Sequence, residues 1–185
     1  MSQPAHRRLR HLPRLAGVAI TAVVLGLLSP AAASAQTTAT VGPGTYEQSD
    51  DAVVRTGSWY SLNSSASSGG SIAYATKSAS ASLTFEGDSI TWYAWQSASA
   101  GKVDVYLDGE FVERVDNYAS STRTGHRAYT ALNLGAGTHT IEIRSSGSAN
   151  SKSSGKITHL DSFVVGAATA PSTSLTPSYR HADCP

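Results

Sequence analysis

Histidines, carboxylates and serines are the side chains that could do acid–base or nucleophilic chemistry, and their spacing here does not favour it. Four histidines follow residue 35: His126, His139, His159 and His181. His139 shares strand parity with Ile141 and Ile143, which marks it as a buried, hydrogen-bonded structural residue. Asp50 and Asp51 are adjacent, so in a strand they point to opposite faces and cannot serve together as the acid and base of a glycosidase. No serine stands in a G-x-S-x-G elbow, and no H-E-x-x-H spacing occurs. An enzyme would need His126 or His159 within hydrogen-bond reach of a carboxylate and a hydroxyl in a cleft, gathered from distant strands. That leaves a hydrolase as the residual alternative and a non-catalytic protein as the expectation.

The elements that must position any site are strands. In residues 101–116, GKVDVYLDGEFVERVD, Val103, Val105 and Leu107 alternate with Asp104 and Tyr106. That is the period of a strand with one buried face. Asp108-Gly109 follows, a favoured pair for a two-residue turn with positive φ at both positions, and residues 110–115 run back. Ala79, Ala81, Leu83 and Phe85 alternate with polar residues in a second half-buried strand. Residues 90–95 form another, with Ile90 and Trp92 on one face and Tyr93 and Trp95 on the other. Further strands are expected at 46–47, within 51–60, at 72–74, 126–134 and 138–144. The last runs over 156–164, with Ile157, Asp161 and Phe163 on one side. Residues 61–71, almost all Ser, Gly, Ala and Asn, read as a flexible loop, and 145–155 as a polar loop. No helical periodicity follows residue 35. The fold class is all-β: an antiparallel β-sandwich, jelly roll favoured, of about eight to nine strands.

The ends of the chain read differently. Arg7, Arg8, Arg10 and Arg14 precede an apolar run over residues 15–28, then Ser29-Pro30 and the small residues Ala33-Ser34-Ala35. That order marks a secretory signal peptide over 1–35, and the apolar run is shorter than the ~20 residues a membrane span needs. A lead-in over 36–44, a sandwich domain over 45–165 and a disordered Pro/Ser/Thr-rich tail over 166–185 complete the division. Four of the 14 Lys and Arg fall in the leader and all 13 acids beyond it, so the mature chain carries ten cations against 13 acids, net −3. Without a basic patch, nucleic acid is not an expected partner. The single cysteine, Cys184, excludes an internal disulfide; it reads as a free thiol on the tail, with pairing between chains as the alternative. A secreted monomer is the expectation.

Five segments occur in a familiar order: DDAVVRTGSW (50–59), ASLTFEGDSITWYAW (81–95), VDVYLDGEFVERVD (103–116), LGAGTHTIEI (134–143) and ITHLDSFVV (157–165). Together they resemble a bacterial secreted jelly-roll module of the galactose-binding-domain-like group, similar to carbohydrate-binding modules appended to extracellular hydrolases. The resemblance spans nearly all of residues 46–164. It implies two kinds of site. One is a structural calcium ion, with Glu47 and Asp161 in the places of its ligands; His159 stands where the group's pattern has a small or acidic residue. The other is a sugar-binding surface of aromatic faces flanked by polar groups. Trp92 is expected in the core. Trp95, Tyr93, Asn117, Tyr118 and Arg123 are the residues that would meet at one end of the sandwich to form it. The functional expectation is a secreted module that binds an extracellular polysaccharide or cell-wall glycan by aromatic stacking. The alternative is a structural or adhesive cell-surface sandwich that binds a protein partner.

Overall fold

The computed structural model describes residues 39–167. The expected signal peptide, most of the C-terminal tail, His181 and Cys184 lie outside the described residues. In chain order the strands are β1 (Thr40–Val41), β2 (Gly44–Glu47), β3 (Val54–Gly57), β4 (Tyr60–Asn63), β5 (Ser71–Ala75), β6 (Ala79–Glu86) and β7 (Ser89–Gln96). They continue as β8 (Gly101–Leu107), β9 (Glu110–Asp116), β10 (Arg123–Ala131), β11 (Thr138–Ala149), β12 (Thr158–Leu160) and β13 (Ser162–Gly166). One turn of 3-10 helix, Ser68–Gly70, lies between β4 and β5. Among the described residues no helix is long and apolar enough to cross a membrane.

Apart from β1, which runs parallel to β6, these strands pair antiparallel and form the sandwich. One sheet runs β1-β6-β11-β8-β9, with β3 also on β6; a second runs β10-β7-β13-β2; a third, smaller sheet runs β12-β5-β4. Alternation decides which side chains meet between them. Ala81, Leu83 and Phe85 of β6, Val103 and Val105 of β8, and Ile141 and Ile143 of β11 face Ile90, Trp92 and Ala94 of β7 and Phe163 and Val165 of β13. Trp92, Phe85 and Phe163 are the largest fully buried side chains. Burial of each such side chain contributes roughly 1.5–3 kcal/mol relative to exposure.

The turn between β8 and β9 has the expected form. Asp108 and Gly109 have φ of 52° and 85°, and Leu107 pairs with Glu110. Asp108 also ties the turn to β11: its Oδ1 accepts from the Thr140 N–H at 2.7 Å, and its Oδ2 lies 2.8 Å from His139 Nδ1. His139 is thus hydrogen-bonded, as expected, but half-buried rather than buried.

The described residues divide into thirteen strands because several are short edge pieces and one is broken. β1 lies inside the stretch read as lead-in, and β4 runs from Tyr60 into the stretch read as a loop. β11 continues to Ala149 through an irregularity between Ser145 and Ala149, where a polar loop was expected. The last strand breaks at Asp161. Leu160 and Phe163 both face the core although they are three residues apart, so the alternation slips by one residue. Asp161 and Phe163 therefore do not share the core face, contrary to the reading from parity. Before the break β12 pairs with β5; after it β13 pairs with both β7 and β2.

Replacing Asp108 with alanine removes both contacts to β11 and places a non-glycine Cβ, without a local hydrogen bond, at positive φ. We expect a loss of about 1–3 kcal/mol in urea unfolding, with Asp108→Asn closer to wild type. Equal midpoints for Asp108→Ala and wild type would show that the turn is not held through β11.

Candidate binding cleft and cation site

Residues paired across an antiparallel ladder share a face. On the outer face of the β10-β7-β13-β2 sheet, one row runs Glu47, Ser162, Tyr93, Arg127, and the next runs Thr45, Val164, Thr91, Thr130. Thr45, Tyr93, Asp161, Ser162, Val164 and Gly125 line an open cleft of about 280 Å³, with Ala66 and Ser68 at its rim. The cleft wall therefore offers one aromatic ring, several hydroxyls and one carboxyl group.

Ala66 and Ser68 belong to the Ser-rich segment expected to be a flexible loop, and the structure corrects that expectation. Internal backbone bonds close the segment: Ser64 N–H to Gly70 O at 2.9 Å and Gly70 N–H to Ser67 O at 3.2 Å. Two side chains then fasten it to the sheets. The Trp95 indole N–H donates to Ser67 Oγ at 3.0 Å, and the Ser68 hydroxyl donates to Glu47 Oε1 at 2.6 Å. Gly69 has φ of 61°, and a Cβ there would lie 2.9 Å from the Glu47 carboxyl. The backbone there favours a glycine, and a side chain would have to push the Glu47 carboxyl aside. The segment is a lid pinned over the carboxylates.

Asp161 sits beneath the lid. Its N–H donates to Tyr93 O and its carbonyl accepts from Gln48 N–H, both at 3.0 Å, so its backbone joins β7 to the end of β2. Its side chain is buried. Burial pushes the carboxyl up to about 6; Glu47 adds to the rise, and the Ser68 N–H and Ser67 hydroxyl oppose it. His159, two residues earlier, is pushed down by burial to about 4, with Nδ1 unpartnered. Three buried oxygens in this region accept no hydrogen bond: Glu47 Oε2, Gln48 Oε1 and Asp161 Oδ1. Unpaired buried acceptors are costly, and hard oxygens of this type are what a calcium ion takes. The donor set fits such an ion. Among the described residues no group of three or more His, Cys, Asp or Glu is gathered, so amide and backbone oxygens would complete its shell.

The other sequence-derived residues fall as follows. Trp95 is half-buried, with its ring tilted at 31° to His159 and 6.2 Å from it. Tyr93 lines the cleft. Arg123 is exposed opposite Gln96 in the β10–β7 ladder, and Tyr118 bridges to Ser97. Neither lines the cleft. Asn117 is fully buried, so the structure removes it from the accessible surface. Its backbone holds the strand connections instead, accepting from Ser97 N–H and donating to Gly101 O. Sequence reasoning missed Thr45, Gln48, Ser68 and Ser162; Thr45 shares strand parity with Glu47, while Gln48 and Ser68 lie outside the strands and carry no such signal. It also missed a row of rings across the small sheet: Tyr60 stacks on Tyr74 at 5.4 Å, and Tyr74 pairs with His159. Of the remaining histidines, His139 is held by Asp108 outside the cleft lining, and His126 is lowered by burial and by Arg123.

No family model matches the chain. It is similar to the A type blood alpha-D-galactosamine galactosaminidase of Flavonifractor plautii, 36% identical over 95 residues, which are 51% of this chain and 9% of that protein. Among solved structures it is similar to a two-domain esterase active on acetylated mannans, co-crystallized with mannopentaose. That likeness has 19% identity and a TM-score of 0.50 over 69% of this chain and 37% of the esterase. It is also similar to a Paenibacillus xanthan lyase, with 18% identity and a TM-score of 0.49 over 71% of this chain and 14% of the lyase. This chain thus spans only a small part of each of these proteins. The esterase likeness supports the fold.

Asp161 and His159 make opposite demands on pH. Asp161 has a folded value of about 6 against an ordinary 3.8, so its contribution to stability is full below pH 3.8 and is lost as pH rises through 6. His159 has a folded value of about 4 against 6.5, so its contribution is full above pH 6.5 and is lost as pH falls through 4. In chelator, Asp161→Asn should therefore gain in melting temperature relative to wild type on going from about pH 4 to about pH 7. The same offset at both pH values would contradict a carboxyl held in its neutral form by burial.

Proposed function

We propose that this protein is a secreted, non-catalytic module that binds an extracellular polysaccharide or cell-wall glycan in the lidded cleft. The observation that carries this reading is the cleft wall: the Tyr93 ring set between the Thr45 hydroxyl on the same sheet and the Ser68 hydroxyl on the lid. Sugars are held in this way, by an aromatic face against their C–H surface and a few fixed polar groups at their hydroxyls. The similarity to part of a galactosaminidase supports a carbohydrate-related role, and the N-terminal pattern of basic, apolar and small residues supports secretion. Trp95 serves the site by fixing the lid through Ser67, and Arg123 and Tyr118 flank it on the adjoining ladder and loop.

Glu47, Gln48 and Asp161 would hold a calcium ion. When bound, the ion neutralises the two carboxylates. The lid then rests on a fixed anchor, since Ser68 is bonded to Glu47 and both lid serines act on Asp161. Protonation of Asp161 competes with that role.

The test is retention of the mature protein on a panel of insoluble polysaccharides, with Tyr93→Ala and Trp95→Ala beside it. Retention on one glycan should fall about fivefold or more for Tyr93→Ala, the equivalent of about 1 kcal/mol of stacking. Trp95→Ala should lose retention through a loosened lid and show faster proteolysis at residues 64–70. Added calcium should raise the melting temperature of wild type more at pH 7 than at pH 5, and Glu47→Gln should abolish the rise. No retention on any glycan would favour the adhesive reading, for which the exposed Tyr60, Leu62 and Phe111 are the available apolar surface.

A further inference from the structure

A second pocket, sharing no lining residue with the cleft, lies where β5 turns into β6 beside the irregular part of β11. It has a volume of about 360 Å³, and Lys77, Ser145, Ser146, Gly147 and Lys156 line it. No acidic side chain lines it, and neither lysine has a carboxylate within salt-bridge distance among the described residues. The neighbouring cations are engaged. Lys102 lies 4.0 Å from Asp116, and Arg144 makes two bonds to Glu142 while lying 4.0 Å over the Tyr106 ring.

The backbone that carries the two lysines is fixed from several sides. The Ser145 hydroxyl donates to Lys77 O at 3.3 Å and lies 2.9 Å from Thr158 Oγ1. The Ser146 hydroxyl donates to Lys102 O at 2.7 Å and accepts from the Ser148 N–H at 3.2 Å, and Gly147 turns the chain with φ of 71°. Irregularities of this kind re-aim side chains at the rim of a sheet. Lys156 packs on Gly101, where a Cβ would lie 2.8 Å from the Lys156 carbonyl. The next residue, Ile157, bonds to Ser99 O at 3.0 Å and to the Gly101 N–H at 2.8 Å. Two unpaired ammonium groups therefore project from rigid backbone around a hollow with hydroxyls and no competing anion. Such an arrangement attracts a negatively charged oxygen group, and its two donors favour one with several oxygens.

We propose that this pocket is a second site, which binds the anionic substituent of an acidic polysaccharide, a uronate carboxylate or a sulfate ester. The polymer rests on the glycan-binding reading of the cleft; the anion site itself does not. Together the two sites would make the module prefer a charged glycan over its neutral counterpart.

Affinity electrophoresis in gels containing polygalacturonate, dextran sulfate or neutral dextran tests the proposal, with wild type, Lys77→Gln/Lys156→Gln and Tyr93→Ala. Beside it, inorganic sulfate is titrated while the amide signals of Lys77, Gly147 and Lys156 are followed by NMR. We expect one or both acidic polymers to retard wild type. The double lysine variant should bind about tenfold more weakly at low salt, with the difference shrinking as salt rises. Sulfate should shift the three amide signals in wild type and not in the double variant. Which polymer retards the protein identifies carboxylate or sulfate ester as the group bound. Equal retardation of wild type and double variant by the acidic polymers, or no shift with sulfate, would overturn the proposal. Retention of a neutral glycan through Tyr93 in that case would leave the cleft reading standing. Retardation by acidic polymers alone, lost with the lysines and unaffected by Tyr93→Ala, would uphold the anion site and overturn the cleft.

Discussion

A carboxyl group buried where the last strand changes partners is the constraint around which this face of the molecule is arranged. Asp161 cannot lie in a regular strand, because Leu160 and Phe163 both belong to the core. The extra residue leaves its backbone free to bond β7 on one side and Gln48 on the other. Its side chain is left in a poorly solvated place beside Glu47. Burying a carboxyl group is costly unless donors or a cation surround it. The Ser68 N–H and Ser67 hydroxyl are such donors, and they lower the carboxyl against the rise that burial causes.

The same constraint explains why a segment of serine and glycine is held still. Each lid bond alone is worth about 1 kcal/mol, too little to order seven residues against their entropy. The bonds act together because their partners are themselves fixed. Trp95 is backed by His159, His159 pairs with Tyr74, and Tyr74 stacks on Tyr60. The small sheet thus buttresses one wall of the lid while the broken strand supplies its floor. A shallow cleft with preset hydroxyls results, which suits a ligand of many weak contacts. Its preorganisation lowers the cost of ordering on binding.

Much of the scaffold was legible in the sequence. The Asp108-Gly109 hairpin, the alternation of residues 79–85 and the core placement of Trp92 follow from period and turn chemistry that act over a few residues. The lid was not legible. Its composition is that of a mobile loop, and the partners that hold it, Trp95 and Glu47, lie 28 and 21 residues from the serines they bond. The slip at Asp161 was hidden because parity alone runs Ile157, Asp161 and Phe163 along one face. Asn117 read as a residue of the sugar-binding surface because nothing nearby in sequence shows its backbone bonds to Ser97 and Gly101. Lys77 and Lys156 drew no notice, being far apart in sequence and brought together by the antiparallel register of β12 on β5, which pairs Thr158 with Ala75.

The central claim is that the lidded cleft is where ligand binds. Its most direct test is an NMR titration of the protein with soluble oligosaccharides cut from whichever polymer retains it, following backbone amides and the Trp95 indole N–H. The account predicts saturable shifts at Thr45, Ser68, Tyr93 and Ser162, with the indole signal moving in step as the lid adjusts. Shifts confined to Tyr60, Leu62 or Phe111, with the indole and the cleft amides unmoved, would contradict it.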